Sequence, residues 1–230
     1  MKLKTFIKWS GNKSKHLKHI LPFIPSSYKT YIEPFVGSGA LFLNLQPKKS
    51  IINDLNKDLI NCWESVKNNP LDILKIFDTF GKIFKPLDNK DKVVLCREIT
   101  ASIEMSNYDY NRAAIFMLMK FCGYNGHIFV NNKFLFGSLD MNIYINDRFF
   151  FLEEPMSRNI FEVSKYLNNT DCSIYNKDYK TILSKAKKGD FVFMDPPYVE
   201  SHNYQFNYNK DEKLDINYST LKINHEKVCE

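Results

Sequence analysis

The chain has 230 residues, of which 44% are hydrophobic and 15% aromatic, enough for one sizeable folded domain or a domain with an insertion, and too apolar for a disordered chain. Its net charge of +6 suits a polyanionic partner, although the positive charge is nearly all lysine, with arginine only at Arg97, Arg112, Arg148 and Arg158. The five cysteines are scattered without a C-x-x-C pair, and no signal-peptide pattern or bilayer-length apolar run is present, which points to a reducing, intracellular setting with no disulfide framework, zinc site or membrane anchor.

In chain order, Phe6 to Trp9 leads into a glycine turn with a basic flank, Ser10-Gly11-Asn12-Lys13-Ser14-Lys15, and a helix is predicted from His16 to Leu21, stopping near Pro22. Trp9 and Lys13 read either as a turn with an anchoring tryptophan or as a ligand lid, an aromatic to pack the ligand and a cation to meet a carboxylate. Tyr31 to Val36 is strand-like, Gly37-Ser38-Gly39 turns the chain, and Ala40 to Leu45 starts a helix. Strand, glycine turn and helix form the first unit of a Rossmann-like sheet, whose glycines let a ligand approach the backbone. Ser50 to Asp54 is the next strand, ending in an acid at the spacing expected for a carboxylate that binds ribose hydroxyls; a helix cap is the competing role. Leu55 to Val66 is helical, with Leu59, Ile60, Trp63 and Val66 on one stripe.

Strand and helix cease to alternate between 67 and 160. Leu71 to Phe80 and Lys92 to Met105 have helical spacing, and Tyr108 to Phe121 is a strongly apolar helix ending at Gly123. After the Tyr124-Asn125-Gly126 turn, residues 128 to 136 read as a β-hairpin with Lys133 at its polar tip. Ser173 to Asn176 is a further strand, followed by Asp178, a candidate neighbour of a bound adenine ring. A short helix over 181 to 187 leads to a strand predicted as buried, Phe191 to Met194. That strand runs into Asp195-Pro196-Pro197-Tyr198.

The two prolines stop strand and helix alike and hold the residue before each extended. The result is a stiff shelf at a strand's carboxyl end, where open α/β sheets place ligands. Asp195 and the Pro196 carbonyl can accept both hydrogens of an exocyclic amine, and Tyr198 can stack on its ring. Such acceptors draw the amine's lone pair out of conjugation and make the nitrogen a better nucleophile.

This shelf resembles the catalytic Asp-Pro-Pro-Tyr motif of methyltransferases acting on adenine N6 or cytosine N4. Lys8 to Lys13 resembles the Lys-Trp-Ala-Gly-Gly-Lys opening of Dam-type (class alpha, D12 class) DNA adenine methyltransferases, departing at Ser10 and Asn12. Glu33-Pro34-Phe35-Val36-Gly37-Ser38-Gly39 is similar to that family's S-adenosylmethionine motif, and Gly123 to Gly126 to its Gly-Tyr-Asn-Gly segment. The resemblance covers the chain to Tyr198 and fades over the polar residues 199 to 230. It implies an α/β Rossmann-like S-adenosylmethionine-dependent methyltransferase sheet with a mostly helical recognition insert, C-terminally incomplete.

The implied catalytic residues are Asp195, Pro196, Pro197 and Tyr198. The implied cofactor residues are Trp9, Lys13, Glu33, Phe35, Gly37, Gly39, Asp54, Asp178 and Asp195. Tyr124, Asn125 and Lys133 are expected to meet double-stranded DNA, where Tyr124 could wedge into the stack. The expected division is a catalytic unit of 1–60 with 161–230 and a recognition unit of 61–160, in a monomer that could serve beside a restriction endonuclease. Related GATC-specific enzymes carry an arginine near Phe129, so the resemblance implies adenine in DNA and not a particular recognition sequence. Two further readings stay open at this point: a truncated, non-catalytic DNA-binding remnant, and a methyltransferase acting on RNA.

Overall fold

The computed structural model describes residues 2–103, 107–122 and 154–197. The turn at 123–126, the hairpin at 128–136 and residues 198–230 lie outside the described residues; Tyr124, Asn125, Lys133 and Tyr198 are among them.

The first elements are short. A 3-10 turn, Lys13–Lys15, is capped by the Asn12 side chain, which accepts from the Ser14 N–H at 2.7 Å. Helix α1 has only four residues, Leu17–Ile20, and a second 3-10 turn, Leu21–Phe23, follows with Pro22 in its first turn. The helix predicted for 16–21 is present as α1, which passes into the second 3-10 turn at Leu21. The segment buries no side chain fully, although Leu17, Ile20 and Leu21 pack in part against the core, and so small an apolar face supports only a short helix.

Among the described residues, four parallel strands form the sheet, in the order β3-β2-β1-β4. Strand β1 is Tyr31–Glu33, flanked by β2, Lys49–Asn53, with Tyr31 opposite Ser50. On its other side lies β4, Phe191–Val192, with Tyr31 opposite Phe191. Strand β3, Asp171–Tyr175, pairs with β2 over its whole length. Helix α2, Ala40–Leu45, makes the crossover between β1 and β2. The expected first unit is thus present, but β1 stops at Glu33 because Pro34 cannot continue the ladder.

β4 differs from its expectation in two ways. It is shorter, although the Phe193 N–H still donates to the Ile32 carbonyl at 2.9 Å. It is also half-buried where burial was expected. Its only partner among the described residues is β1, so its outer edge has no neighbour there.

Helices α3, Lys57–Asn68, α4, Pro70–Phe84, α5, Asn89–Ile103, and α6, Tyr110–Cys122, follow β2. Asn56 caps α3, its side chain accepting from the Leu59 N–H at 2.9 Å, which places the start two residues later than the spacing suggests. Pro70 opens α4, where its missing N–H costs nothing. Ile73, Phe77, Phe80 and Phe84 form the buried stripe of α4.

Helix α7, Glu154–Asn168, is absent from the sequence expectation. Its buried Ile160, Val163 and Leu167 have helical spacing. It packs on α3 and β3, and α3 also packs on α4 and α6. Helix α8, Tyr179–Leu183, leads back to β4. Trp63 sits at the centre of the core, fully buried, with Phe6 edge-on at 4.7 Å. Burying a side chain of that size contributes about 2–3 kcal/mol.

Candidate functional site

Chain connectivity reverses direction between β1 and β4. That makes the carboxyl end of these two strands the switch point of the sheet, where ligands of open α/β folds bind. Each strand ends there in a motif, and the N-terminal segment closes over both.

After β1, Gly37 and Gly39 take left-handed backbone angles, φ 49° and 67°. Both glycines are crowded on the Cβ side. A Cβ at Gly37 would sit 2.9 Å from Cδ1 of Trp9, and one at Gly39 would sit 2.6 Å from the Trp63 ring. Tryptophan rings therefore occupy the space the sequence reading left for a ligand on that side. The Trp63 indole N–H donates to the Gly37 carbonyl at 3.1 Å, fixing the turn from below.

Asp54 lies just beyond β2. One carboxylate oxygen accepts the Gly37 N–H at 3.1 Å and the other the Asn56 N–H at 2.9 Å. Burial pushes its pKa up to about 6, while those N–H donors pull the other way. The N-cap of α3 is Asn56, so Asp54 braces the glycine turn.

Glu33 ends β1 almost without exposure and accepts the Tyr31 hydroxyl at 2.7 Å. Burial raises its pKa to about 8; the Tyr31 bond opposes this, and the charges of Asp195 and Asp54 add to it. Burial thus favours the protonated form of Glu33. Asp195, at the end of the β4 segment, forms an ion pair with Lys13. Lys13 also donates to the Gly11 carbonyl at 3.0 Å. Pro196 is half-buried and Pro197 exposed.

The structure therefore brings Trp9, Lys13, Glu33, Gly37, Gly39, Asp54 and Asp195 to one end of the sheet. Phe35 is half-buried beside Tyr179, ring centres 5.3 Å apart. Asp178 caps α8, accepting the Lys180 N–H at 2.8 Å.

Several residues that build this end are not singled out by the sequence reading. Asn53 is buried; its Nδ2 donates to the carbonyls of Pro34 at 2.9 Å and Lys177 at 3.0 Å, and its Oδ1 accepts the Lys177 N–H at 2.9 Å. Asn176 donates to the carbonyls of Asp54 and Leu55. These two amides lace together the loops that follow β1, β2 and β3. Lys8 donates to the Phe121 carbonyl at 3.2 Å, and the buried Lys120 ammonium stands 4.3 Å from the centre of the Trp9 ring. Asparagines in an asparagine-rich chain, and two lysines among many, give no local signal. Only the positions of the two asparagines at strand ends could have flagged them.

A parallel sheet with this strand order, a glycine turn braced by an acid, and an Asp-Pro-Pro shelf at the switch point defines a Rossmann-like methyltransferase. Comparison with known proteins places it more narrowly. The family described as D12 class N6 adenine-specific DNA methyltransferase matches residues 9–224, and the chain belongs to that family.

Among its relatives is a type II methyltransferase of Lactococcus lactis subsp. cremoris, 33% identical over 202 residues, covering 86% of this chain and 66% of the relative. A type II methyltransferase of Methanocaldococcus jannaschii is 32% identical over 210 residues, covering 86% and 70%. A DNA adenine methylase of Serratia marcescens is 30% identical over 198 residues, covering 86% and 68%. The chain spans about two thirds of the length of these curated relatives. Among the described residues no helix is long and apolar enough to cross a membrane.

Proposed function

We propose that this chain is a site-specific DNA-methyltransferase (adenine-specific), moving a methyl group from S-adenosylmethionine to N6 of a flipped adenine in double-stranded DNA. The observation that carries this reading is the Lys13–Asp195 ion pair. It joins the first and last motifs, remote in sequence, over the end of the sheet where a nucleoside cofactor fits the fold. Methyltransferases of this family use S-adenosylmethionine as a rule, and when bound it supplies an electrophilic methyl carbon.

The donor set suits that molecule. Asp54 offers a carboxylate for ribose hydroxyls, Trp9 and Phe35 offer aromatic faces, and Lys13 offers a cation for the methionine carboxylate. Glu33 and the Gly37–Gly39 turn form the floor, and Asp178 stands by the adenine side. Lys13 would hold that carboxylate, and Asp195 would accept one amine hydrogen while the Pro196 carbonyl accepted the other. Pro197 stiffens the shelf, and Tyr198 stacks on the target base. An amine inside a duplex is out of reach, so the base must leave the stack. Much of the rate then comes from holding amine and methyl in line.

The same reading divides the chain into a catalytic unit of 1–60 with 161–230 and a DNA-recognition unit of 61–160, where Tyr124, Asn125 and Lys133 meet DNA. A cognate restriction endonuclease is the natural companion, given type II methyltransferases among the relatives.

The test is methyl transfer from labelled S-adenosylmethionine to unmethylated duplex DNA, with the product nucleoside identified by mass. N6-methyladenine from the parent, reduced by at least about 100-fold in Asp195→Ala, is the expected result. Transfer to RNA in preference to duplex DNA would move the substrate class. A folded parent that binds DNA but neither binds S-adenosylmethionine nor transfers a methyl group would make it a binding protein instead.

A further inference from the structure

Lys120 takes no part in the chemistry outlined above, yet with Arg112 it is one of two buried cations among the described residues, 5% exposed in the last turn of α6. Its ammonium lies 4.3 Å from the centre of the Trp9 ring and 5.5 Å from that of Phe116. Asp58 and Cys62 on α3 and Arg112 on α6 are the titratable groups nearby. Asp58 is held by Arg112 through two contacts, at 2.6 and 3.3 Å, and Cys62 Sγ donates to the Ala113 carbonyl at 3.6 Å. Burial lowers the lysine's pKa to about 8, with Cys62 and Asp58 opposing the shift.

The Trp9 indole is thus held from two directions. Gly37 of the cofactor turn stands against it, and Lys120 of the helical insert stands over it. One residue away, Lys8 donates to the Phe121 carbonyl, so the last turn of α6 is stitched to the lid at both Lys8 and Trp9.

We propose that Lys120 is a positioning residue for the cofactor pocket: it sets the Trp9 ring through a cation–π contact and so ties the helical insert to the S-adenosylmethionine site. The proposal rests on the cofactor reading given above. A desolvated ammonium over indole is among the stronger contacts of its kind. Its loss frees Trp9 to turn away from Gly37, and cofactor binding suffers more than turnover.

Calorimetric titration with S-adenosylmethionine, beside KM and kcat, tests this on the parent, Lys120→Met and Lys120→Arg. Met keeps the length and apolar stem without the charge, and Arg keeps the cation. Lys120→Met is expected to weaken binding and raise KM for S-adenosylmethionine by about tenfold, with kcat within about twofold. Lys120→Arg is expected to recover most of the loss. Tryptophan emission, with Trp9→Phe identifying the signal, should change in Lys120→Met and return in Lys120→Arg. Parent-like affinity and emission in a folded Lys120→Met protein would overturn the positioning role alone. A parent that does not bind S-adenosylmethionine would overturn the cofactor reading, and this role with it.

Discussion

Gly39 sits at φ 67° with the Trp63 ring where a side chain would go. Gln46 takes a similar left-handed angle, φ 49°, at the end of α2 with a full side chain. Backbone angle alone is therefore tolerable in this chain, and the collision with Trp63 is what makes glycine necessary at 39. Alanine there combines left-handed strain with overpacking, and Gly39→Ala should cost about 2–4 kcal/mol of stability, read as a lower denaturant midpoint with an unchanged slope. Asp195 lies at the opposite extreme. It is partly exposed and held by one ion pair, so Asp195→Ala should leave the melting temperature within a few degrees while removing methyl transfer. Those two outcomes separate a residue that builds the site from one that acts in it.

At the level of elements, the carboxyl ends of β1, β2 and β3 depend on Asn53. Three hydrogen bonds converge on one buried amide, so Asn53→Ala leaves carbonyls and an N–H unmatched and should destabilise by about 2–4 kcal/mol. Calorimetry should also show weaker S-adenosylmethionine binding, because the loops that carry Pro34 and Lys177 come apart.

The elements also show where sequence reading succeeds. β1, the glycine turn, α2, β2 and β3 were legible because each carries its own pattern: a β-branched run, a glycine pair, an acid at a strand end. α7 has an equally regular stripe in Ile160, Val163 and Leu167, but it follows a stretch with no periodic pattern, and the reading places no element there. The helix expected at 16–21 is present as α1 and stops at Leu21, where Pro22 marks its end in the sequence. Lys13 and Asp195 are read as parts of one site through family resemblance, since nothing local in either motif points to the other. Asn53 bonds to Lys177, Asn176 to Asp54, and Lys120 lies over Trp9, all pairs far apart in the chain and beyond any window of local spacing.

For the whole molecule, the buried acids set the response to pH. Glu33 has a pKa raised from an ordinary value near 4.5 to about 8. Between these values the folded protein keeps a proton that the unfolded chain has released. Stability therefore falls as pH rises, by up to about 1.4 kcal/mol per pH unit. Asp54, raised to about 6, adds a slope of the same sign at lower pH, and Lys120, lowered to about 8, adds one of opposite sign at higher pH, so comparison with Glu33→Gln between 6 and 8 is what isolates Glu33. Glu33→Gln should flatten that slope and be more stable than the parent at pH 8, as measured by guanidinium unfolding at pH 6 and pH 8. An equal slope in both proteins would mean that Glu33 is ionised throughout. The order of the sheet also governs when the molecule comes into being. β1 meets β2 after a short crossover, but its other edge waits for Phe191, about 160 residues further on. At translation speeds of about 5–20 residues per second, that edge stays open for on the order of 10–30 seconds on the ribosome. Asp195 emerges only after the strand that closes the edge, so the nascent chain has the floor proposed for a cofactor long before it has the shelf proposed for a base.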